Sequence, residues 1–203
     1  MTSPLVVLDR RLMEAVDSAG SEARRLAGEQ LACRLGCTAC CHGPFPIDAL
    51  DADRLRRGLL ELTGRDAERA EQVRERARQA LEVLRPGFPG QARAGHLDTE
   101  SSDLDAYLTR HSEMPCPALD PLTGGCDLYS HRPLACRTFG PPVTLAGTRL
   151  DPCALCFVGA DPQTLEACRV APDLSAEAPA FDELAKTGID PDVETLVAFV
   201  LAD

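Results

Sequence analysis

At 203 residues the chain has the length of one domain, two at most, and its 28 Leu and 28 Ala against 11 Val and 2 Ile exclude a large parallel sheet, which needs near-continuous β-branched strands. With 32 acids against 21 bases the net charge is −11, the wrong sign for a surface that grips nucleic-acid phosphates. No stretch approaches the ~20 apolar residues of a membrane span, and Leu5-Val6-Val7-Leu8 lacks the basic flank of a signal peptide. The expected setting is therefore the cytoplasm, with neither a membrane nor nucleic acid as partner.

Ser3-Pro4 reads as an N-cap followed by proline at the first helical position, with Leu5, Leu8, Leu12 and Val16 at helical spacing. Ser18-Ala19-Gly20-Ser21 is expected to interrupt that helix before a second stretch through Ala23, Leu26, Ala27 and Leu31. Cysteines then cluster from Cys33 to Cys41, and Phe45-Pro46-Ile47 reads as a short extended segment. Asp51 and Asp66 are the expected caps of two further helices. The first carries Leu55, Leu59 and Leu62, and the second carries Ala70, Val73, Ala77 and Leu84 up to the stop at Arg85-Pro86-Gly87. Leu104, Tyr107 and Leu108 suggest one more short helix. Val143-Thr144-Leu145 and Thr148-Arg149-Leu150 around Ala146-Gly147 read as a small hairpin, and Asp190-Pro191 as the start of a terminal helix. The expected fold is mainly α, with helices around an irregular Cys-rich metal-binding core and at most a small β-hairpin. A single domain is expected over 1–203, with the Cys-rich core in 31–47 plus 112–170, a helical excursion over 48–111 and a helical C-terminal segment over 171–203.

Ten cysteines in a reducing compartment point to metal ligation or redox chemistry rather than a disulfide framework. The first group is Cys33-Arg-Leu-Gly-Cys37-Thr-Ala-Cys40-Cys41. Cysteines two or three residues apart put two thiolates on one tight turn, where both can face one metal at about 2.3 Å. The adjacent side chains of Cys40 and Cys41 are expected to diverge, so two nearby sites or a polynuclear cluster would use them better than one tetrahedral zinc. His42 falls one place too late for the Cys-x-x-Cys-His of a c-type haem site. The second group is Cys116, Cys126 and Cys136, then Cys153-x-x-Cys156, then Cys168. Arg132 and Arg137 flank Cys136, and a neighbouring cation lowers a thiol's pKa and offsets the charge of a thiolate site. If both groups serve one centre, the helices between Cys41 and Cys116 must double back to return the chain to its start.

These motifs carry a resemblance. Cys33-x3-Cys37-x2-Cys40-Cys41, then Cys116-Pro117-x-Leu119, then Cys126-x-Leu128-Tyr129-x-x-Arg132-Pro133-x-x-Cys136-Arg137-x-Phe139 is similar to the YkgJ-type cysteine-cluster family, a zinc- or iron-chelating domain. The resemblance runs from about Cys33 to Cys156 and implies eight recurrent cysteines: Cys33, Cys37, Cys40, Cys41, Cys116, Cys126, Cys136 and Cys153. The chain departs from the family in having three residues between its first two cysteines, and it adds Cys156 and Cys168. With Cys156 the expected metal ligands number nine, with Arg132 and Arg137 beside them.

The metal itself is weakly specified. Zinc is the first choice and iron, or an iron–sulfur cluster held by four thiolates, the second. The function expected is metal binding by clustered thiolates in a structural or metal-handling role. The alternative is an iron–sulfur enzyme, because Cys33-x3-Cys37-x2-Cys40 has the spacing of radical S-adenosylmethionine enzymes and a related cysteine region occurs in flagellin lysine methylases; whether the chain is an enzyme stays open. Cys168 stands as either a ligand or a small buried apolar residue. His96, His111 and His131 read as surface residues, and Tyr129 and Phe139 as core packing. No Gly-x-Ser-x-Gly, phosphate-binding Gly-x4-Gly-Lys or His-Glu-x-x-His motif is present.

Overall fold

A computed structural model of the chain describes residues 3–34 and 36–203; Met1, Thr2 and Leu35, the last inside the first cysteine run, lie outside the described residues. Helices dominate. In chain order the elements are α1 (Pro4–Ala27), β1 (Pro46–Ile47), α2 (Ala49–Arg65), α3 (Ala67–Leu84), β2 (Gly90–Gln91), β3 (His96–Leu97), α4 (Leu104–Arg110), α5 (Leu134–Thr138), β4 (Val143–Leu145), β5 (Thr148–Leu150), α6 (Pro162–Ala167), α7 (Glu177–Ala185), β6 (Thr195–Leu196) and α8 (Val197–Leu201). Among the described residues the sheets are three two-stranded antiparallel pairs, β1–β6, β2–β3 and β4–β5. The mainly α fold therefore holds, and two further ladders of two residues each accompany the expected hairpin.

The chain divides into two compact units, one made of Met1–Cys37 and Leu134–Gly188, the other of Thr38–Pro133 and Ile189–Asp203. In the first unit α1 packs on α7 and α5. Pro4 starts α1 behind Ser3, whose extended backbone occupies the N-cap. The expected break at Ser18–Ser21 does not occur. Ser21 returns its hydroxyl to the Asp17 carbonyl at 2.8 Å, and Asp17 accepts from Arg137 at 2.6 Å. Val16, Ala23 and Ala27 carry the buried stripe straight through, and that burial outweighs the weak propensities of Ser and Gly. The hairpin β4–β5 turns at Ala146 (φ 46) and Gly147 (φ 84), the positive-φ pair a tight hairpin needs.

In the second unit α2 and α3 form the expected hairpin and both pack on α8. Asp48, not Asp51, caps α2, accepting from the Asp51 N–H at 2.7 Å; Asp51 sits inside the first turn, buried against Arg54. Asp66 caps α3 as expected, accepting from the Arg69 N–H at 3.0 Å. Leu55, Leu59, Leu62, Val73 and Ala77 meet Val197, Val200 and Leu201 in one apolar core, each large side chain contributing about 1.5–3 kcal/mol on burial. The terminal helix is shorter than expected. Thr195 and Leu196 pair with Ile47 and Pro46 instead, and the Leu97 N–H donates to the Glu194 carbonyl at 2.9 Å. Pro191, Val193 and Thr195 favour extended backbone there, and the partner strand satisfies it. Tyr107 on α4 is 1 % exposed and donates its hydroxyl to the Leu84 carbonyl at the end of α3.

Candidate metal centre

The two units divide the cysteines. Cys33, Cys37, Cys136, Cys153, Cys156 and Cys168 belong to the first and Cys40, Cys41, Cys116 and Cys126 to the second.

In the first unit Cys33 follows the end of α1, and Cys37 closes a turn by donating its N–H to the Arg34 carbonyl at 2.9 Å. Cys153 and Cys156 share a tight turn, the Cys156 N–H reaching the Cys153 carbonyl at 2.8 Å. That turn is pinned on both sides. Cys153 donates to the Gly140 carbonyl at 3.0 Å, and Phe157, at positive φ, donates to the Gln30 carbonyl at 2.7 Å. The outcome is a Cys33 Sγ to Cys156 Sγ distance of 4.0 Å. A tetrahedron of sulfurs at about 2.3 Å from a zinc has edges of about 3.8 Å, so this pair already has the separation of two ligands. Beneath it Ala27, Cys156, Phe157 and Cys168 form a buried apolar floor. Gly140 (φ +126) lies so near that a Cβ there would stand 2.6 Å from the Cys33 sulfur. Burial foremost, then the thiols of Cys156, Cys37 and Cys153, push the Cys33 thiol up to about 12. Cys153 is raised by burial and by Cys156 and Cys37, against a lowering hydrogen bond from the Leu155 amide.

In the second unit the return of the helical hairpin puts Cys116 beside Cys41. The Cys116 N–H donates to the Cys41 carbonyl at 2.7 Å and the Gly43 N–H to the Met114 carbonyl at 2.8 Å. Cys116 and Cys126 flank a closed loop in which Leu119 bridges Cys126 and Asp127 donates to the Ala118 carbonyl at 2.8 Å. Helix α3 braces this loop. Arg76 donates to the Pro117 carbonyl at 2.8 Å and to Asp127 at 2.6 Å, and Arg69 pairs with Asp127 and with Asp120. Cys40 and Cys41 follow one another on the short turn that the Cys41 N–H closes on the Thr38 carbonyl at 2.8 Å. The Cys41 thiol is pushed up by its neighbour Cys40, by burial and by Cys116 and Cys126. Cys40 is held down at about 6 by its interaction with Cys41, with Arg132, its own amide and His42 assisting. Burial pushes Cys116 up to about 12 and also raises Cys126, which Arg132 pulls down and Asp127 pushes up.

Three cysteines share one local device. Amides of Ala118 and Leu119 are aimed at the Cys116 sulfur, that of Leu128 at Cys126 and that of Leu155 at Cys153, and each stabilises the thiolate. Neither this device nor Gly140 and the Arg76–Asp127 brace had a signal in the sequence. Among the described residues no three Cys, His, Asp or Glu side chains yet converge around one point closely enough to hold an ion. The donor chemistry nonetheless fits zinc or iron. Thiols stand in groups on short turns, with thiolate-directed amides and one ligand-like sulfur pair.

Other expected participants are placed as follows. Arg132 lies over the Tyr129 ring at 3.8 Å and acts on Cys40 and Cys126, whereas Arg137 grips Asp17. Cys136 is half-buried on α5. Cys168 is buried in the apolar floor and ends α6, its N–H donating to the Thr164 carbonyl. Tyr129 and Phe139 are exposed rather than core residues; the Tyr129 ring is spent on Arg132 instead. His131 is not a free surface group, for it packs on Gly58, where a Cβ would stand 2.6 Å from its side chain. His111 packs edge-on against Tyr107, with its Nε2 buried and, among the described residues, lacking a hydrogen-bond partner.

Compared with known families, residues 32–154 match the model named CxxCxxCC, described as a putative zinc- or iron-chelating domain. Neither a curated protein nor a solved structure matches. Among the described residues no helix is long and apolar enough to cross a membrane.

Proposed function

The chain belongs to the CxxCxxCC family, and on that premise we propose that it binds zinc through clustered cysteine thiolates in a structural or metal-handling role, in the cytoplasm. The reading is carried by one observation: amides on short turns point at the sulfurs of Cys116, Cys126 and Cys153, a preparation for negative sulfur that a merely buried thiol does not need. Cys33, Cys37, Cys40, Cys41, Cys116, Cys126, Cys153 and Cys156 are the central donors, and Cys136 on α5 is a ninth. When bound, the metal would supply cross-links among turns that otherwise lack regular secondary structure. The chain's own part is to hold these turns in place through Arg76, Asp127, Gly140 and Phe157.

Elemental analysis of protein isolated without oxygen tests the reading, with far-UV circular dichroism before and after chelation. Zinc in the protein and loss of helical signal on its removal support a structural role. Protein that carries no metal, takes none up and stays fully folded refutes it.

A second reading, an iron–sulfur enzyme, draws on a polar cavity of about 450 Å³ lined by Cys126 with Glu61, Arg65, Arg69, Tyr129 and His131, room for a small molecule beside a thiol. Iron with labile sulfide and broad visible absorption would favour it. Zinc in colourless protein removes it.

A further inference from the structure

We propose that the first cysteine run serves two metal sites rather than one: Cys33 and Cys37 join Cys153 and Cys156 in the first unit, and Cys40 and Cys41 join Cys116 and Cys126 in the second. This rests on the thiolate reading above and adds how the ligands are shared out. It also recruits Cys156, which lies beyond the residues the family model matches.

Three observations carry it. The boundary between the compact units falls between Cys37 and Thr38, inside the motif that looks continuous in sequence. In the first unit the Cys33–Cys156 sulfur pair stands at 4.0 Å, fixed from one side by Gly140 and from the other by the turn that Phe157 anchors to Gln30. In the second, Cys41 is tied by its backbone to Cys116, and the Leu119–Cys126 bridge and α3 hold the loop that carries Cys126.

Each set offers four sulfurs, the complement of one closed tetrathiolate site for a thiophilic divalent metal such as Zn²⁺. The Thr38-Ala39 spacer is then a joint between two chelating loops rather than part of one. The adjacent cysteines serve a common site from a single turn, its Cys41 N–H donating to the Thr38 carbonyl at 2.8 Å.

The test is anaerobic Co²⁺ titration, read by thiolate-to-metal charge transfer, on the full-length chain. The wild type should take up about two ions per chain. Cys156→Ala and Cys116→Ala should each lose one, and the double variant both, while Cys168→Ala keeps two. Undiminished uptake by Cys156→Ala, or loss on Cys168→Ala, overturns the assignment. Absence of cobalt or zinc uptake by the wild type overturns the proposed function instead.

A measurement on the unaltered chain guards against variants that fail to fold. Zinc-loaded protein is stripped stepwise with a chelator and its thiols are alkylated and mapped by mass spectrometry. Cys33, Cys37, Cys153 and Cys156 should lose protection as one block, and Cys40, Cys41, Cys116 and Cys126 as another. Release of Cys33, Cys37, Cys40 and Cys41 together would show a single site and refute the division.

Discussion

Replacing Gly140 by alanine strikes the first thiol set without touching a cysteine. The residue stands at φ +126, a backbone region that L side chains rarely adopt, and the new Cβ would lie 2.6 Å from the Cys33 sulfur, well inside ordinary contact. Backbone strain of this kind costs about 1–3 kcal/mol, and forcing a side chain aside in a packed site costs about 1–3 kcal/mol more. The sum of about 2–6 kcal/mol is a large part of the 5–15 kcal/mol typical of a folded domain. The Cys33 sulfur must move by most of an ångström, out of its 4.0 Å relation to Cys156. If only about 1.4 kcal/mol of this falls on the metal-bound form, zinc affinity at that site drops tenfold. Gly147→Ala is the control. Gly147 also has positive φ, +84, but among the described residues nothing lies within 4 Å of its added Cβ, so it carries only the backbone cost of about 1–2 kcal/mol. Competition of zinc against a chromophoric chelator, with thermal melts alongside, should show weakened binding for Gly140→Ala alone. Equal zinc affinity in both variants and the wild type would refute the packing argument.

Asp127→Ala removes a carboxylate that is 1 % exposed and held by Arg69 and Arg76. Because the arginines themselves are partly open to water, the cost is set at about 2–3 kcal/mol, and a melting temperature lower by about 5–10 °C should follow; an unchanged melt contradicts the brace. Tyr107→Phe deletes the hydrogen bond to the Leu84 carbonyl and should cost about 1–2 kcal/mol at neutral pH, read from chemical denaturation. Burial pushes the Tyr107 phenol up to about 12 from its ordinary value of about 10. Its neutral form is therefore favoured in the fold, and its stabilising contribution, complete below about pH 10, is lost as pH rises towards 12. The wild type should lose melting temperature more steeply than Tyr107→Phe across that window, and parallel slopes would contradict the assignment. Cys33 and Cys116 sit near 12 in the metal-free chain, mainly through burial, so zinc must displace their protons. Zinc affinity should rise at least tenfold per pH unit between about pH 6 and 8, and pH-independent binding would contradict this.

Local signals in the sequence were dependable where one force decides the outcome. The stripe Ala70, Val73, Ala77, Leu84 behind the Asp66 cap became α3, and Ala146-Gly147 became the turn of a hairpin. They misled where distant partners outweigh propensity. Gly20 stays helical because the buried face of α1 continues past it, and Thr195-Leu196 extends because β1 offers backbone partners. The cysteines divide the same way. Their clustering, and the return of Cys116 to the first run, could be read from spacing and from the helical excursion. Which thiols become neighbours could not, because contacts separated by more than a hundred residues set it: Phe157 to Gln30 and Gly140 against Cys33.

X-ray absorption at the zinc edge of the anaerobically purified chain tests thiolate ligation most directly, since it reports the donor atoms without mutation or unfolding. The result expected is four sulfur ligands at about 2.3 Å and no nitrogen or oxygen in the first coordination sphere. A first sphere of nitrogen and oxygen, or a chain that holds no metal to measure even after zinc is supplied, would contradict it.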